Sequence, residues 1–177
     1  MKLHKARFLF TLQVFFLLVS FLTASISPIA VRAAPRQVDH PDTLWNTFLG
    51  GADKDQGNAI AVDSSGNIYI AGYSNSTWGS PIRTYSGNTD AFVAKLDSDG
   101  TLVWNTFLGS LGFSYNNGIA VDSSGNIYVV GYSRGGWGTS PVNGYSGDTD
   151  IFIAKLANDG SLTWHTFLGS SASDYGE

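Results

Sequence analysis

Few side chains in this sequence are of types that carry out chemistry on their own. Among 177 residues there are three histidines and no cysteine. A thiol nucleophile, a disulfide and a cysteine-ligated zinc are therefore excluded. His40 and His165 stand in no metal-ligand spacing. His165 replaces Asn46 and Asn105 in otherwise matching segments, so it reads as a tolerated polar position and not as a general base. The repeated serines lack a nucleophile-elbow context, G-x-S-x-G. Asn75-Ser76-Thr77 spells a glycosylation sequon, a short triplet that needs a host able to read it.

The acidic residues fall in turns. Asp97-Ser98-Asp99-Gly100 resembles the start of a calcium loop, but a strand-like Thr-Leu-Val-Trp follows where further ligands are required. Its counterpart, Ala157-Asn158-Asp159-Gly160, lacks the first carboxylate, so a hairpin turn accounts for both. Asp63 and Asp122 are expected to hold the backbone of the DSSGN turns, and Asp90 and Asp150 to cap loop backbone ahead of a strand. No metal or cofactor is implied.

The best candidates for ligand contact lie in two long Gly/Ser/Pro loops, residues 72–87 and 131–147. They hold Trp78, Arg83 and Tyr85, then Arg134, Trp137 and Tyr145. Aromatic and arginine side chains on polar loops anchor interfaces, here with a protein or a carbohydrate. The competing reading has each tryptophan folding back to cover its own sheet, and recurrence in both copies favours that structural role.

These residues sit in a tandem repeat. AVDSSGNIY at residues 61–69 returns unchanged at 120–128. Ile60 and Ile119 are 59 apart, whereas Pro81 and Pro141 are 60 apart, which puts one inserted residue near Thr139 in a loop. WNTFLG at 45–50 returns at 104–109 and, as WHTFLG, at 164–169. A fixed period with slippage confined to a loop marks a structural repeat.

Each period reads as four strands. Residues 58–63, 68–73, 90–96 and 102–108 are short runs rich in Val, Ile, Tyr, Phe, Trp and Thr. Asp, Ser, Asn and Gly bound them, the pattern of strands joined by hairpin turns. Several runs are apolar on both faces, unlike a sheet with one wet side. Four short antiparallel strands covered on both faces predict an all-β fold of β-propeller blades.

The N-terminus stands apart. Lys2, Lys5 and Arg7 precede the uncharged stretch 8–24, and Val31-Arg32-Ala33 offers a small-residue cleavage site. This layout predicts a signal peptide over residues 1–33 and a secreted or cell-surface product with no membrane span in the mature chain. Beyond Ala33 six Lys and Arg face fourteen Asp and Glu. That balance argues against nucleic acid, whose phosphates demand basic clusters.

The order A-I-A-V-D-x-x-G-N-I-Y-x-x-G-Y-S, then S-P, then D-A-F-V-A-K-L-D-x-x-G, then W-x-T-F-L-G resembles the bacterial SBBP repeat, a seven-bladed β-propeller family. The resemblance implies an exported propeller, usually within a larger protein, and brings no catalytic residues. It divides the chain into a linker at 34–43, the fourth strand of a preceding blade and its connection at 44–57, and blades at 58–109 and 117–169. Residues 170–177 are then the start of a next blade. Seven blades need roughly 400 residues at this period, so the expectation is an incomplete propeller, completed by further blades of a longer chain or by other copies. The expected function is a non-catalytic binding or scaffold module. The alternative is a segment of a secreted propeller hydrolase or lyase whose active site lies elsewhere.

Overall fold

The computed structural model of the protein describes residues 45–176. The expected leader at 1–33, the linker at 34–43 with His40, and Leu44 lie outside the described residues. Eight strands follow in order: β1 (Asp55–Val62), β2 (Ile68–Ser74), β3 (Asp90–Leu96), β4 (Leu102–Leu108), β5 (Ser114–Val121), β6 (Ile127–Ser133), β7 (Asp150–Leu156) and β8 (Leu162–Leu168). They form two antiparallel four-stranded meanders, β1-β2-β3-β4 and β5-β6-β7-β8. The fold is all-β, an unclosed pair of propeller blades.

The repeated nine residues are explained by one carboxylate. Asp63 accepts from the backbone N–H of Ser65 (2.9 Å) and Asn67 (3.0 Å), from Asn67 Nδ2 (2.8 Å) and from the Tyr69 hydroxyl (3.0 Å). Asp122 does the same with Ser124, Asn126 and Tyr128. Gly66 and Gly125 take φ of 81° and 78°, a left-handed turn position that a side chain resists. The turn thus fixes Asp, Asn, Gly and the following Tyr together, and none can drift without the others.

β1 starts at Asp55, three residues before the expected strand, and a bulge is the reason. Gly57 pairs with Gly72 and Ala59 with Ala71, so Asn58 is an extra residue in β1. Asn117 is its equivalent in β5. A bulge re-aims a side chain, and here it turns both asparagines into the seam between repeats. Asn58 Nδ2 donates to the Asn116 carbonyl and Asn117 Nδ2 to the Gly176 carbonyl, each at 2.8 Å. The strand opposite must carry glycine, because a Cβ at Gly72 or Gly131 would lie 1.9 Å from the carbonyl oxygen of Gln56 or Tyr115.

The segment 45–50, expected as a strand, joins neither sheet. Its sequence matches β4 and β8, but a strand needs a hydrogen-bonding neighbour and no described third strand lies beside it. It keeps one contact of its counterparts. Trp45 Nε1 donates to the Ser98 carbonyl, as Trp104 Nε1 donates to the Asn158 carbonyl, both at 3.1 Å. Each indole lies against a glycine of the same turn, Gly100 or Gly160, where a Cβ would collide with the ring.

The blades share a core. Tyr69, Val93 and Leu108 of the first blade pack with Val129, Phe152 and Leu156 of the second. Lys95, almost wholly buried, reaches across to Asn158 Oδ1 (2.6 Å) while lying over the Tyr69 ring. Burial, followed by the bond to Asp63, pushes the Tyr69 hydroxyl up to about 12, so it stays a proton donor at any physiological pH.

Candidate ligand-binding rim

The meander puts two kinds of connection on opposite edges of each blade. One edge, the turn rim, holds the tight β1–β2 and β3–β4 turns and their equivalents. The other, the loop rim, holds the long loops after β2 and β6 together with the crossing from β4 to β5.

The loop-rim tryptophans point inward. Trp78 is 7% exposed and Trp137 is 4% exposed. Trp78 meets Phe92 and Phe107 edge-on at 5.2 and 5.9 Å, and Trp137 meets Phe152 and Phe167 at 5.1 and 5.6 Å. As ligand contacts, Trp78 and Trp137 are therefore corrected to core residues that plug the ends of their own blades. The apolar area of an indole outweighs its single N–H, which in both blades is buried without a partner among the described residues.

His165 belongs to the same plug. It is 1% exposed, stacks on Trp137 at 4.6 Å, and its Nε2 donates to the Trp137 carbonyl at 2.7 Å. Asn105 makes the equivalent bond to the Trp78 carbonyl through Nδ2, at 2.9 Å. The substitution thus preserves one hydrogen bond. Burial holds the His165 imidazole below its ordinary value, and the ring is closed off from solvent.

The other expected contacts divide. Arg83 donates from Nε to the Phe107 carbonyl (3.1 Å) and lies over the Trp137 ring (5.7 Å), so it staples one blade to the next. Tyr85 and Tyr145 pack edge-on against Phe107 and Phe167, with their hydroxyls donating to the carbonyls of Asn88 (2.6 Å) and Asp148 (2.8 Å). These three are held in the loop scaffold. Arg134 alone of the six is solvent-facing, paired with Asp148 at 3.3 Å. Ser173 Oγ also donates to Asp148 (2.9 Å), and the bonds from Ser173 and then Arg134 hold that carboxyl below its usual range.

Beside Arg134 runs a row of tyrosines that the sequence reading did not single out. Tyr73 and Tyr115 meet edge-on across the seam at 4.8 Å. Tyr115 stacks on Tyr132 at 5.0 Å, and Tyr132 meets Tyr175 edge-on at 5.1 Å. Lys54 lies over the Tyr73 ring at 5.2 Å. Phe113, Tyr115, Tyr132, Arg134 and Tyr175 line an open pocket of about 340 Å³. Tyr73, Tyr115 and Tyr132 are half-buried, and Tyr175 is 60% exposed. Partial burial, then the neighbouring tyrosines, raises the Tyr132 hydroxyl above its ordinary value. The signal in the sequence was register. Tyr115 pairs directly with Tyr132 as Gln56 pairs with Tyr73, so Gly-Tyr-Ser at the end of a second strand marks the row.

One serine of the second repeat does carry the literal nucleophile-elbow spacing that the serines were expected to lack. Gly131-Tyr132-Ser133-Arg134-Gly135 spells G-x-S-x-G. Ser133 nevertheless ends a strand, is fully buried, and shares a 2.8 Å hydrogen bond with Ser114 Oγ. It is a seam residue with no exposed hydroxyl to attack with. Among the described residues no group of three His, Cys, Asp or Glu side chains is arranged to hold a metal.

Successive four-stranded meanders joined by seam bonds from strand bulges define a β-propeller repeat protein. Its repeats are of the SBBP type: the SBBP β-propeller repeat matches residues 44–77 and 111–136. A second description, a domain of unknown function (DUF5122) β-propeller, matches residues 64–102. The chain is similar to an uncharacterized WD repeat-containing protein of Acanthamoeba polyphaga mimivirus, 27% identical over 154 residues, 79% of this chain and 10% of that protein. It is also similar to the regulatory protein FlaEY of Caulobacter vibrioides, 33% identical over 128 residues, 67% of this chain and 13% of that protein. The chain therefore spans little more than a tenth of either relative.

Proposed function

We propose that the protein is an exported, non-catalytic β-propeller module that binds or scaffolds at the cell surface or outside the cell, as a segment of a larger assembly of blades. Its binding surface is the loop rim. The observation that carries this reading is the tyrosine row with its Arg134–Asp148 pair, an exposed aromatic surface where equivalent positions of the two blades differ. Rigid amphipathic rings give large contact area at small entropic cost, which suits recognition. The buried, committed states of His165 and Ser133 count against catalysis within this segment. Export rests on the basic, apolar and small-residue order of the first 33 residues. Among the described residues no helix is long and apolar enough to cross a membrane.

The test expresses the full chain with a C-terminal tag and asks two things. N-terminal sequencing of the exported product should begin close to Ala34, and an intact Met1 on a cytoplasmic product would refute export. The purified protein should bind washed cell envelopes, and Y175A should bind them at least tenfold more weakly. Equal retention of the two proteins would remove the loop rim as the binding surface.

A further inference from the structure

Resting on the loop rim as a binding surface, the geometry points to a neutral polysaccharide chain as its ligand, laid along the row Tyr73–Tyr115–Tyr132–Tyr175. We infer this from three features of the row.

The first is shape. The rings follow one another at 4.8, 5.0 and 5.1 Å and cross from the first blade through the second to the start of the next repeat. Such a track is longer than one small molecule needs and suits a linear polymer that meets a ring at each step. A pyranose packs its apolar C–H face against the outer ring surface that the mutual packing of the tyrosines leaves open, most of it on Tyr175, and keeps its hydroxyls at the edge.

The second is charge. The only cation lining the pocket, Arg134, is already neutralised by Asp148. Asp148 in turn is satisfied by Ser173. Lys54, over the Tyr73 ring at the far end of the row, is then the one cation along it without an acidic partner among the described residues, too little to hold a polyanion against a chain whose excess of acidic residues repels polyanions at long range.

The third is the polar rim of the pocket. Arg134 and Asp148 lie side by side with side-chain exposures of 49% and 59%. Together they present N–H donors next to carboxylate acceptors. A vicinal diol donates and accepts at the same spacing, so it bonds both partners without breaking their pair. A proline-rich peptide also seats on tyrosines, but it offers backbone carbonyls alone and leaves Asp148 unused.

Affinity then grows with chain length, because each added residue engages another ring of the same track. The test is affinity electrophoresis of the full chain in gels containing hydroxyethylcellulose, laminarin, xyloglucan or, as a charged control, carboxymethylcellulose. Retardation by at least one neutral polymer is expected, stronger than by the charged one, with hexasaccharides of that polymer competing better than disaccharides. Y175A, whose exposed ring carries no core packing, should weaken retardation at least tenfold, and R134A should weaken it several-fold. D99A, on the opposite rim, should migrate like the wild type. Failure of all three neutral polymers, or equal retardation of Y175A, overturns the inference. Binding of a proline-rich peptide through the same tyrosines also overturns it. In those cases a continued Y175A defect on cell envelopes would leave the loop-rim reading standing.

Discussion

At the turn rim, Asp63 and Asp122 sit in the same surroundings with the same four kinds of bond. At the loop rim of the same blades, equivalent positions carry different side chains. Gln56 becomes Tyr115 and then Tyr175, Asn75 becomes Arg134, and Asn88 becomes Asp148. The turn has no slack: its Asp, Asn, Gly and Tyr are tied to one another and to the seam. The loop-rim positions face solvent, where a changed side chain costs the fold little. Letter-for-letter repetition therefore marks geometry, while divergence marks the surface free to acquire a ligand.

The sharpest break of this comparison concerns the tryptophans. If Trp137 were a ligand contact, W137A would spare the fold. As a buried plug, its loss should cost about 3–5 kcal/mol, read as a lower urea midpoint. An unchanged midpoint would return Trp137 to the surface. G131A comes next. Its Cβ would lie 1.9 Å from the Tyr115 carbonyl oxygen, and backbone cannot yield as a side-chain tip can. A loss of about 3 kcal/mol is expected, and G144A, whose surroundings hold nothing within 4 Å, should lie far closer to wild type.

The smallest effect separates His165 from Asn105 by pH. Burial lowers the imidazole's folded value, so in acid the unfolded chain binds the proton that the folded chain resists. The contribution is fully present above the ordinary histidine value near 6.5 and is lost as the pH falls below it. Between pH 7 and pH 5 the melting temperature of the wild type should therefore fall more than that of H165N, which keeps the bond to the Trp137 carbonyl. Parallel curves would show that His165 is not buried as described.

The strands and turns were legible because their signals are local. Short runs rich in Val, Ile and Tyr, bounded by turns of Asp, Ser, Asn and Gly, specify a meander without reference to distant residues. The start of β1 was not, because Asn58 bulges and the residues before it, Asp55, Gln56 and Gly57, pair with β2 without any apolar pattern to announce a strand. The long loops have no periodicity, so nothing local told whether Trp78 and Trp137 face in or out. The one-residue slip also obscured that Arg83 corresponds to Asn143 and Arg134 to Asn75, so the two arginines are not equivalents. The tyrosine row depended on knowing that Tyr115 registers opposite Tyr132, information that lies between strands and not within one.

The division of labour between the rims is tested most directly by two double variants of the full chain, D63A/D122A and Y115A/Y132A, melted side by side by circular dichroism. The aspartate pair should lower the melting temperature by several degrees, since each carboxylate holds its turn and the following tyrosine together. The tyrosine pair, which gives up two half-buried stacked rings, should lower the melting temperature by clearly less than the aspartate pair and lose envelope binding. A tyrosine variant that melts as early as the aspartate variant would show that the row is core packing, and the account of the loop rim would fall.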